Sequence, residues 1–305
     1  MSLQPLSLQS QDEETRTWRR LARSLFTPKK LVAYLVTSLL LFALIFVGLR
    51  KLESAVTFHP VRYSATSSWA PPDGAEDVWL TTADAVRLHG WFIKSRTQPS
   101  NATIIYFHGN GGNIGNVAWV GENLASHGYD ALLFDYRGYG RSEGDVDSEK
   151  QLNIDGDAAY NYIVNVRGVK PHDVVLFGQS LGTTVAVDVA SRRPCAALVL
   201  ESGLSSAADL AAHAFPWIPR PVYVLAQNRF ESSRKLGHIR SPVLVVHGDP
   251  DSVIPTEHGQ KLFAAANEPK KLLIYPGAGH NVHGSMGQKY LDEVSGFLQQ
   301  HLKRK

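Results

Sequence analysis

The feature of this chain with the clearest chemical meaning is a serine between two glycines at the end of an apolar run. Residues 174–177 read Val-Val-Leu-Phe and lead into Gly178-Gln179-Ser180-Leu181-Gly182, after which a helix-like stretch follows. This order predicts a strand, a sharp turn and a helix, which is the context that a nucleophile elbow requires. Side chains at Gly178 and Gly182 would collide with neighbouring backbone, and the turn would place the Ser180 hydroxyl at the positive end of the helix. The pattern predicts a serine nucleophile, although a glycine-bounded turn can also hold a serine by chance.

An acid and a histidine occupy equivalent places after two later apolar runs. Asp249 and Asp251 follow one run, and His280 follows another through a Gly-x-Gly sequence. Serine, acid and histidine in this chain order form one of the known arrangements of a catalytic triad. The spacing alone leaves both Asp249 and Asp251 open as the acid. His283 lies near His280 but lacks the Gly-x-Gly lead, which favours His280 as the base.

The elements that must position these residues alternate between strand and helix. Short apolar runs separated by helical stretches predict an open, mostly parallel sheet with helices on both faces, preceded by a hairpin around residues 82–85. Ligands in such sheets bind beyond the carboxyl ends of the strands. The predicted strands of the hairpin are Asp77 to Leu80 and Val86 to Ile93, and the predicted parallel strands are Ile104 to Phe107, Ala131 to Phe134, Val174 to Phe177, Ala196 to Leu200, Val243 to Val246 and Leu272 to Tyr275.

One connection interrupts this alternation. Residues 204–240 contain three prolines and several aromatic residues, and they lie between the predicted strands Ala196 to Leu200 and Val243 to Val246. An apolar insertion above the strand ends predicts a small cap over a pocket. The alternative is a helical excursion that packs on the body of the domain without contacting a ligand.

An uncharged segment near the N-terminus predicts a membrane anchor. Residues 31–49 are apolar, flanked by lysine and arginine, and long enough to cross a hydrocarbon core as a helix. A buried core helix or a cleaved signal peptide are the alternatives, but the long polar segment before the run favours an uncleaved signal anchor. The predicted division is a polar segment over 1–30 without regular structure, the anchor over 31–49, a linker over 50–75 and a catalytic domain over 76–305.

The cationic residues around the anchor predict its orientation. The amino side carries Arg16, Arg19, Arg20, Arg23, Lys29 and Lys30. The other side carries Arg50, Lys51 and Arg62 nearby. Under the positive-inside rule this excess places the N-terminus in the cytoplasm and the catalytic domain on the far side of the membrane.

Composition excludes several other classes. The 305 residues are 44% hydrophobic and 19% charged, which is a composition typical of a globular protein. The net charge is only +3 and the basic residues cluster at the two ends of the chain, so no nucleic-acid partner is expected. Cys195 is the only cysteine, and an internal disulfide is therefore impossible. The histidines show no His-Glu-x-x-His run, and neither a metal nor a cofactor is expected. Oligomeric state cannot be read from the sequence.

Four segments together resemble the α/β-hydrolase superfamily over about residues 76–302. They are Phe107 to Asn113, Asp135 to Ser142, the elbow at Gly178 to Gly182, and His247 to Pro255. The match is to the membrane-anchored branch of α/β-hydrolase-domain proteins, which is related to depalmitoylating thioesterases and lysophospholipid hydrolases.

The resemblance implies the α/β-hydrolase fold and a role for each matching residue. It implies Ser180 as nucleophile, Asp251 as the acid and His280 as the base, with the backbone N–H groups of Asn110 and Leu181 forming an oxyanion hole. The segment from Asp135 to Ser142 is predicted to be a structural turn that lines the pocket wall.

The resulting hypothesis is a membrane-anchored serine hydrolase that acts on carboxylic esters or thioesters of lipid-derived acyl groups. A serine peptidase on the same fold and a catalytically inactive binding protein are the alternatives. Dinucleotide binding would need a glycine where Ile114 stands, so the glycine-rich loop beginning at Gly109 fits that class poorly.

Overall fold

The chain folds into two units, an N-terminal helical one and a larger α/β one, in a computed structural model that describes residues 7–64 and 69–302. The boundary between the units lies between Leu52 and Glu53. The helices of the first unit are α1 (Ser7–Leu25) and α2 (Pro28–Thr57), and the last turn of α2 belongs to the second unit.

The N-terminal segment differs from the sequence prediction. Residues 1–30 were expected to lack regular structure, but α1 forms over Ser7–Leu25. This stretch is rich in Gln, Glu, Arg and Leu, which favour helix, and contains neither glycine nor proline. In the described part of the chain, α2 is the one helix that is long and apolar enough to cross a membrane by length and composition.

The segment predicted as a linker, residues 50–75, is structured where it is described. Helix α2 continues to Thr57, because no glycine or proline intervenes before Pro60, and a residue that precedes proline disfavours helix. Phe58 is buried, and Pro60 and Arg62 form isolated bridges to loops of the α/β unit. Residues 65–68 lie outside the described residues.

A single eight-stranded sheet forms the centre of the α/β unit. Its strand order is β1-β2-β4-β3-β5-β6-β7-β8, with β2 antiparallel to both of its neighbours and the remaining pairs parallel. The hairpin and the six parallel strands predicted from the sequence are confirmed. The strands are β1 (Glu76–Thr81), β2 (Arg87–Ile93), β3 (Thr103–Phe107), β4 (Asp130–Phe134), β5 (Val174–Gln179), β6 (Ala197–Glu201), β7 (Val243–Asp249) and β8 (Lys270–Pro276).

Helices cover both faces of this sheet and bury two apolar clusters, one on each face. The central strands are buried along almost their whole length, as expected for parallel strands covered on both sides. The helices are α3 (Ala118–Ser126), α4 (Glu149–Asn161), α5 (Leu181–Arg192), α6 (Ala207–Ala214), α7 (Ser232–Leu236), α8 (Thr256–Ala265), α9 (Val282–Met286) and α10 (Gln288–His301). Single turns of 3₁₀ or π helix occupy Ile114–Val117, Tyr162–Val166, Pro171–Asp173 and Arg220–Leu225.

The connection between β6 and β7 contains the predicted cap. It holds α6, the 3₁₀ segment Arg220–Leu225 and α7. Helix α7 packs against α5 and α8, and so it belongs to the body of the domain. The cap therefore ends before Ser232 and is shorter than the predicted insertion over 204–240.

Candidate active site

The turn between β5 and α5 has the strained geometry of a nucleophile elbow. Ser180 has φ +52° and ψ −121°, a combination that L-residues rarely adopt. A Cβ atom on Gly178 would lie 2.5 Å from the Cα of Thr183, and one on Gly182 would lie 2.0 Å from the carbonyl oxygen of Phe107. Both glycines are therefore required by backbone contacts, as the sequence predicts.

The structure brings three of the predicted site residues together. His280 Nε2 lies 3.0 Å from Ser180 Oγ, and His280 Nδ1 lies 2.7 Å from Asp251 Oδ2. Each side chain stands beyond the carboxyl end of a different strand, namely β5, β7 and β8. A serine hydroxyl, an imidazole and a carboxylate connected in this order can transfer a proton from the hydroxyl to the ring.

The two alternative residues lie elsewhere. Asp249 accepts a hydrogen bond from Thr256 Oγ1 at 3.1 Å and is exposed. The His283 ring is buried and stacks on Tyr290, with 4.8 Å between ring centroids. Burial lowers the pKa of His283 to about 4, so this ring is neutral at physiological pH. The geometry thus connects Asp251 and His280 to Ser180. It does not connect Asp249 or His283 to this serine.

The surroundings of Asp251 hold its carboxyl group ionised. Burial raises its pKa, but hydrogen bonds from His247, His280 and the backbone N–H groups of Ile254 and Val253 together outweigh burial, and the pKa lies well below its usual range. The two backbone donors lie 2.8 and 2.9 Å from Oδ1, and His247 Nε2 lies 3.3 Å from Oδ2. Asp251 is therefore a fixed negative charge beside the histidine ring.

Two residues at the end of β6 also support the site, and the sequence analysis missed them. The Ser202 hydroxyl donates to the carbonyl oxygen of His280 at 2.7 Å, and the Ser180 N–H donates to the carbonyl oxygen of Glu201 at 2.9 Å. Burial raises the pKa of Glu201, whose carboxyl group is bonded to the Tyr290 hydroxyl and the His283 N–H. The signal available in the sequence was an acid and a serine directly after a predicted strand.

The loop after β3 lies beside the serine. Leu181 is the first residue of α5, so its N–H has no carbonyl partner within the helix. In the described ranges neither this N–H nor that of Asn110 donates a hydrogen bond within the protein. Both residues line the cavity that contains Ser180. Two free N–H groups near a nucleophile are the donors that an oxyanion hole needs.

The Asn110 side chain is held by hydrogen bonds from three directions. Its Nδ2 donates to the Thr57 carbonyl oxygen at 2.7 Å, and its Oδ1 accepts from the His59 N–H at 3.1 Å and from the Tyr139 hydroxyl at 2.9 Å. Residues at and after the end of α2 therefore fix the loop beside the nucleophile.

The segment from Asp135 to Ser142 supports this loop from behind, and none of its residues lines the cavity. The prediction that it lines the pocket wall is wrong. Arg137 is drawn into the protein because its guanidinium pairs with Asp155 and Asp84, and the Tyr136 hydroxyl donates to the His108 carbonyl oxygen.

A buried carboxyl–imidazole pair completes this support. Asp135 Oδ1 accepts from the Ile114 N–H at 2.8 Å and lies 3.6 Å from His108 Nε2. Burial raises the pKa of Asp135 to about 7 and lowers the pKa of His108 to about 4. His108 therefore has a structural role next to the loop, and its neutral ring does not reach Ser180.

An apolar cavity of about 420 Å³ opens at Ser180. Its described lining contains no charged residue and consists mostly of aliphatic and aromatic side chains from the cap and the adjoining loops. The lining residues are Val56, Thr57, Asn110, Ser180, Leu181, Leu204, Ala207, Leu210, Ala211, Ala214, Phe215, Asn228, Phe230, Val253 and Ile254. Because α6 forms one wall, the insertion covers a pocket, as predicted, and is not an excursion away from it.

No group of three or more His, Cys, Asp or Glu side chains in residues 7–64 and 69–302 is arranged to hold a metal ion. Cys195 is partly buried, and burial raises the pKa of its thiol to about 11. The reactive side chains that the structure places together beside the cavity are Ser180, His280 and Asp251.

Comparisons with known proteins agree with this architecture. The family model described as serine aminopeptidase, S33, matches residues 98–234. An uncharacterised protein of Mycobacterium tuberculosis is 37% identical over 223 residues, which cover 73% of this chain and 78% of that protein. The α/β hydrolase domain-containing protein 17B of Xenopus tropicalis is 36% identical over 75% of this chain and 77% of its own length.

A solved structure shows the same fold. The structure of a Pyrococcus furiosus esterase superimposes with a TM-score of 0.65 at 23% identity, covering 81% of this chain and 98% of the esterase. Fold, family model and relatives agree, and the chain belongs to the α/β-hydrolase superfamily.

Proposed function

We propose that this α/β hydrolase is a membrane-anchored serine hydrolase that cleaves carboxylic ester or thioester bonds of lipid-derived acyl groups. The observation that carries the proposal is the continuous set of contacts from Ser180 Oγ to His280 and from His280 to Asp251, at 3.0 and 2.7 Å, at the mouth of an apolar cavity. No cofactor is needed, since water completes the reaction.

In the proposed reaction Ser180 Oγ attacks the acyl carbon and gives its proton to His280 Nε2. The N–H groups of Asn110 and Leu181 stabilise the oxyanion, and one good donor contributes about 3 kcal/mol. His280 then protonates the leaving alcohol or thiol, which leaves an acyl-serine. Water, deprotonated by His280, attacks this ester, and His280 returns the proton to Ser180 Oγ as the acyl–oxygen bond breaks and the carboxylic acid is released. Asp251 stabilises the imidazolium in both steps.

The lining of the cavity supports an acyl substrate over an amino-terminal peptide. Hydrolysis of a peptide at its N-terminus requires a site for a charged ammonium group, and a buried charge without a partner is costly. The described lining residues include no carboxylate. An aliphatic chain, in contrast, gains free energy from every methylene that it buries there.

Labelling with a fluorophosphonate probe tests the proposal. We expect the full-length protein in detergent to react covalently at Ser180, and long-chain acyl esters or thioesters to compete with the probe while amino-terminal peptides do not. A structure of the adduct should place the phosphoryl oxygen about 3 Å from the N–H groups of Asn110 and Leu181. A folded protein that stays unlabelled would favour an inactive binding protein, and competition by peptides alone would favour a peptidase.

The anchoring part of the proposal rests on the apolar stretch of α2. We propose that residues 31–49 span the membrane, with the N-terminus in the cytoplasm and the catalytic unit on the far side, because the cationic excess precedes the span. In sealed vesicles whose cytoplasmic face is outward, protease should cut within the first 30 residues and leave the catalytic unit intact. Digestion of the catalytic unit before the vesicles are opened would refute this orientation.

A further inference from the structure

The cap carries a cluster of exposed apolar side chains, which we call the cap patch: Phe215, Trp217 and Val222. Their exposed fractions are 48%, 72% and 48%. The rings of Phe215 and Trp217 meet edge to face, with 5.5 Å between centroids, so the two form one surface. Soluble proteins seldom expose large aromatic side chains in a cluster unless the cluster contacts another apolar phase or partner.

The cap patch is continuous with the cavity at the nucleophile. Phe215 lines the 420 Å³ cavity that also contains Ser180, while the same residue is half exposed at the surface. An apolar chain could therefore pass from the patch to the serine along apolar side chains. Whatever covers the patch also lies at the entrance of the cavity.

Hydrogen bonds tie the cap to the residues that directly follow the apolar stretch of α2. The Glu53 carboxylate accepts from the backbone N–H groups of Gln227 and Asn228, each at 2.8 Å. The Phe58 ring also packs edge to face on Phe230 at 6.3 Å. Glu53 is four positions after Leu49 in the chain, and four residues span at most about 14 Å even when fully extended. If residues 31–49 span a membrane, the cap is held next to that membrane.

We propose that the cap patch docks on the lipid surface of the bilayer in which the chain is anchored. This inference rests on the proposed membrane anchor. Tryptophan suits the boundary between headgroups and acyl chains because it joins a large apolar ring to one N–H donor. Docking there places the mouth of the cavity against lipid, and an acyl chain reaches Ser180 without crossing water.

A depth measurement with the full-length chain in phosphatidylcholine vesicles tests the docking without any substrate. An environment-sensitive fluorophore is attached to a Val222→Cys variant, and its quenching by lipids that carry a nitroxide near the headgroup is measured. The matched control is Val166→Cys, an apolar residue that is 71% exposed and precedes the amino end of β5, away from the cavity. The wild-type protein, whose Cys195 thiol is largely buried, serves as the labelling blank.

We expect nitroxide quenching at Val222→Cys to exceed that at Val166→Cys at least threefold, and a Trp217→Ser substitution in the Val222→Cys protein to reduce the difference. The docking would be overturned if nitroxide quenching were equal at the two positions and if iodide in the aqueous phase also quenched the two fluorophores equally. A protein partner would then be the explanation of the cap patch. If the wild-type chain failed to float with the vesicles, anchor and docking would both be overturned. Hydrolase activity is not measured, so these outcomes are distinct from a failure of the proposed catalysis.

Discussion

Replacing Ser180 with alanine is expected to lower kcat for acyl-ester hydrolysis by about 10⁴- to 10⁶-fold. The substitution removes the one oxygen that lies 3.0 Å from His280 Nε2, and without it no acyl-enzyme can form. Fold and stability should change little, because Ser180 Oγ makes no other hydrogen bond among the described residues. Turnover of a short and a long acyl ester, together with thermal unfolding, would measure both effects.

The matched control for this substitution lies on the helix that the elbow begins. Ser191→Ala removes a hydroxyl that donates only to the Asp188 carbonyl oxygen, one helical turn back, and should leave kcat within about twofold of wild type. Retention of wild-type activity by Ser180→Ala would exclude the serine as nucleophile and, with it, the proposed mechanism. Equal loss in both variants would indicate general damage to α5.

The parts of the site that could be predicted from sequence are those set by local chain geometry. Gly178, Ser180 and Gly182 belong to one turn, and the loops that hold Asp251 and His280 each follow a parallel strand of the sheet. Parallel strands bring their carboxyl ends to one edge of the sheet, so three distant motifs converge without knowledge of any tertiary contact. The same reasoning predicts the order of strand and helix, because period and composition are local properties.

Other features depend on contacts between segments that are far apart in sequence and carry no local signal. The Asn110 side chain is bound by Thr57 and His59, more than fifty residues earlier in the chain. Arg137 pairs with Asp84 and Asp155, which moves its segment away from the predicted pocket wall. Residues 50–75 are predicted to be a linker because they contain several prolines. Proline content does not determine whether a neighbouring residue is buried, and Phe58 is buried.

Replacing Asp251 with asparagine is expected to lower kcat by about 10⁴-fold. An amide at this position can present N–H to His280 Nδ1, which forces the tautomer that carries its proton on Nε2 and cannot accept the proton of Ser180. The amide also lacks the charge that stabilises the imidazolium. The measurement is kcat against pH for a short acyl ester, which separates a loss at all pH values from a shift of the profile.

Asp249→Asn is the matched control, since it makes the same chemical change two residues away. The Asp249 carboxylate contacts Thr256 and not His280, so the expected change in kcat is less than about threefold. A large loss in Asp249→Asn with full activity in Asp251→Asn would reassign the acid.

Stability gives a second readout, because the pKa of Asp251 is lower in the folded chain than in the unfolded one. Its ionisation therefore stabilises the fold above about pH 4, and this stabilisation is lost as the pH falls toward the folded-state pKa. The wild-type protein should accordingly lose stability relative to Asp251→Asn on acidification, while Asp249→Asn should follow the wild type.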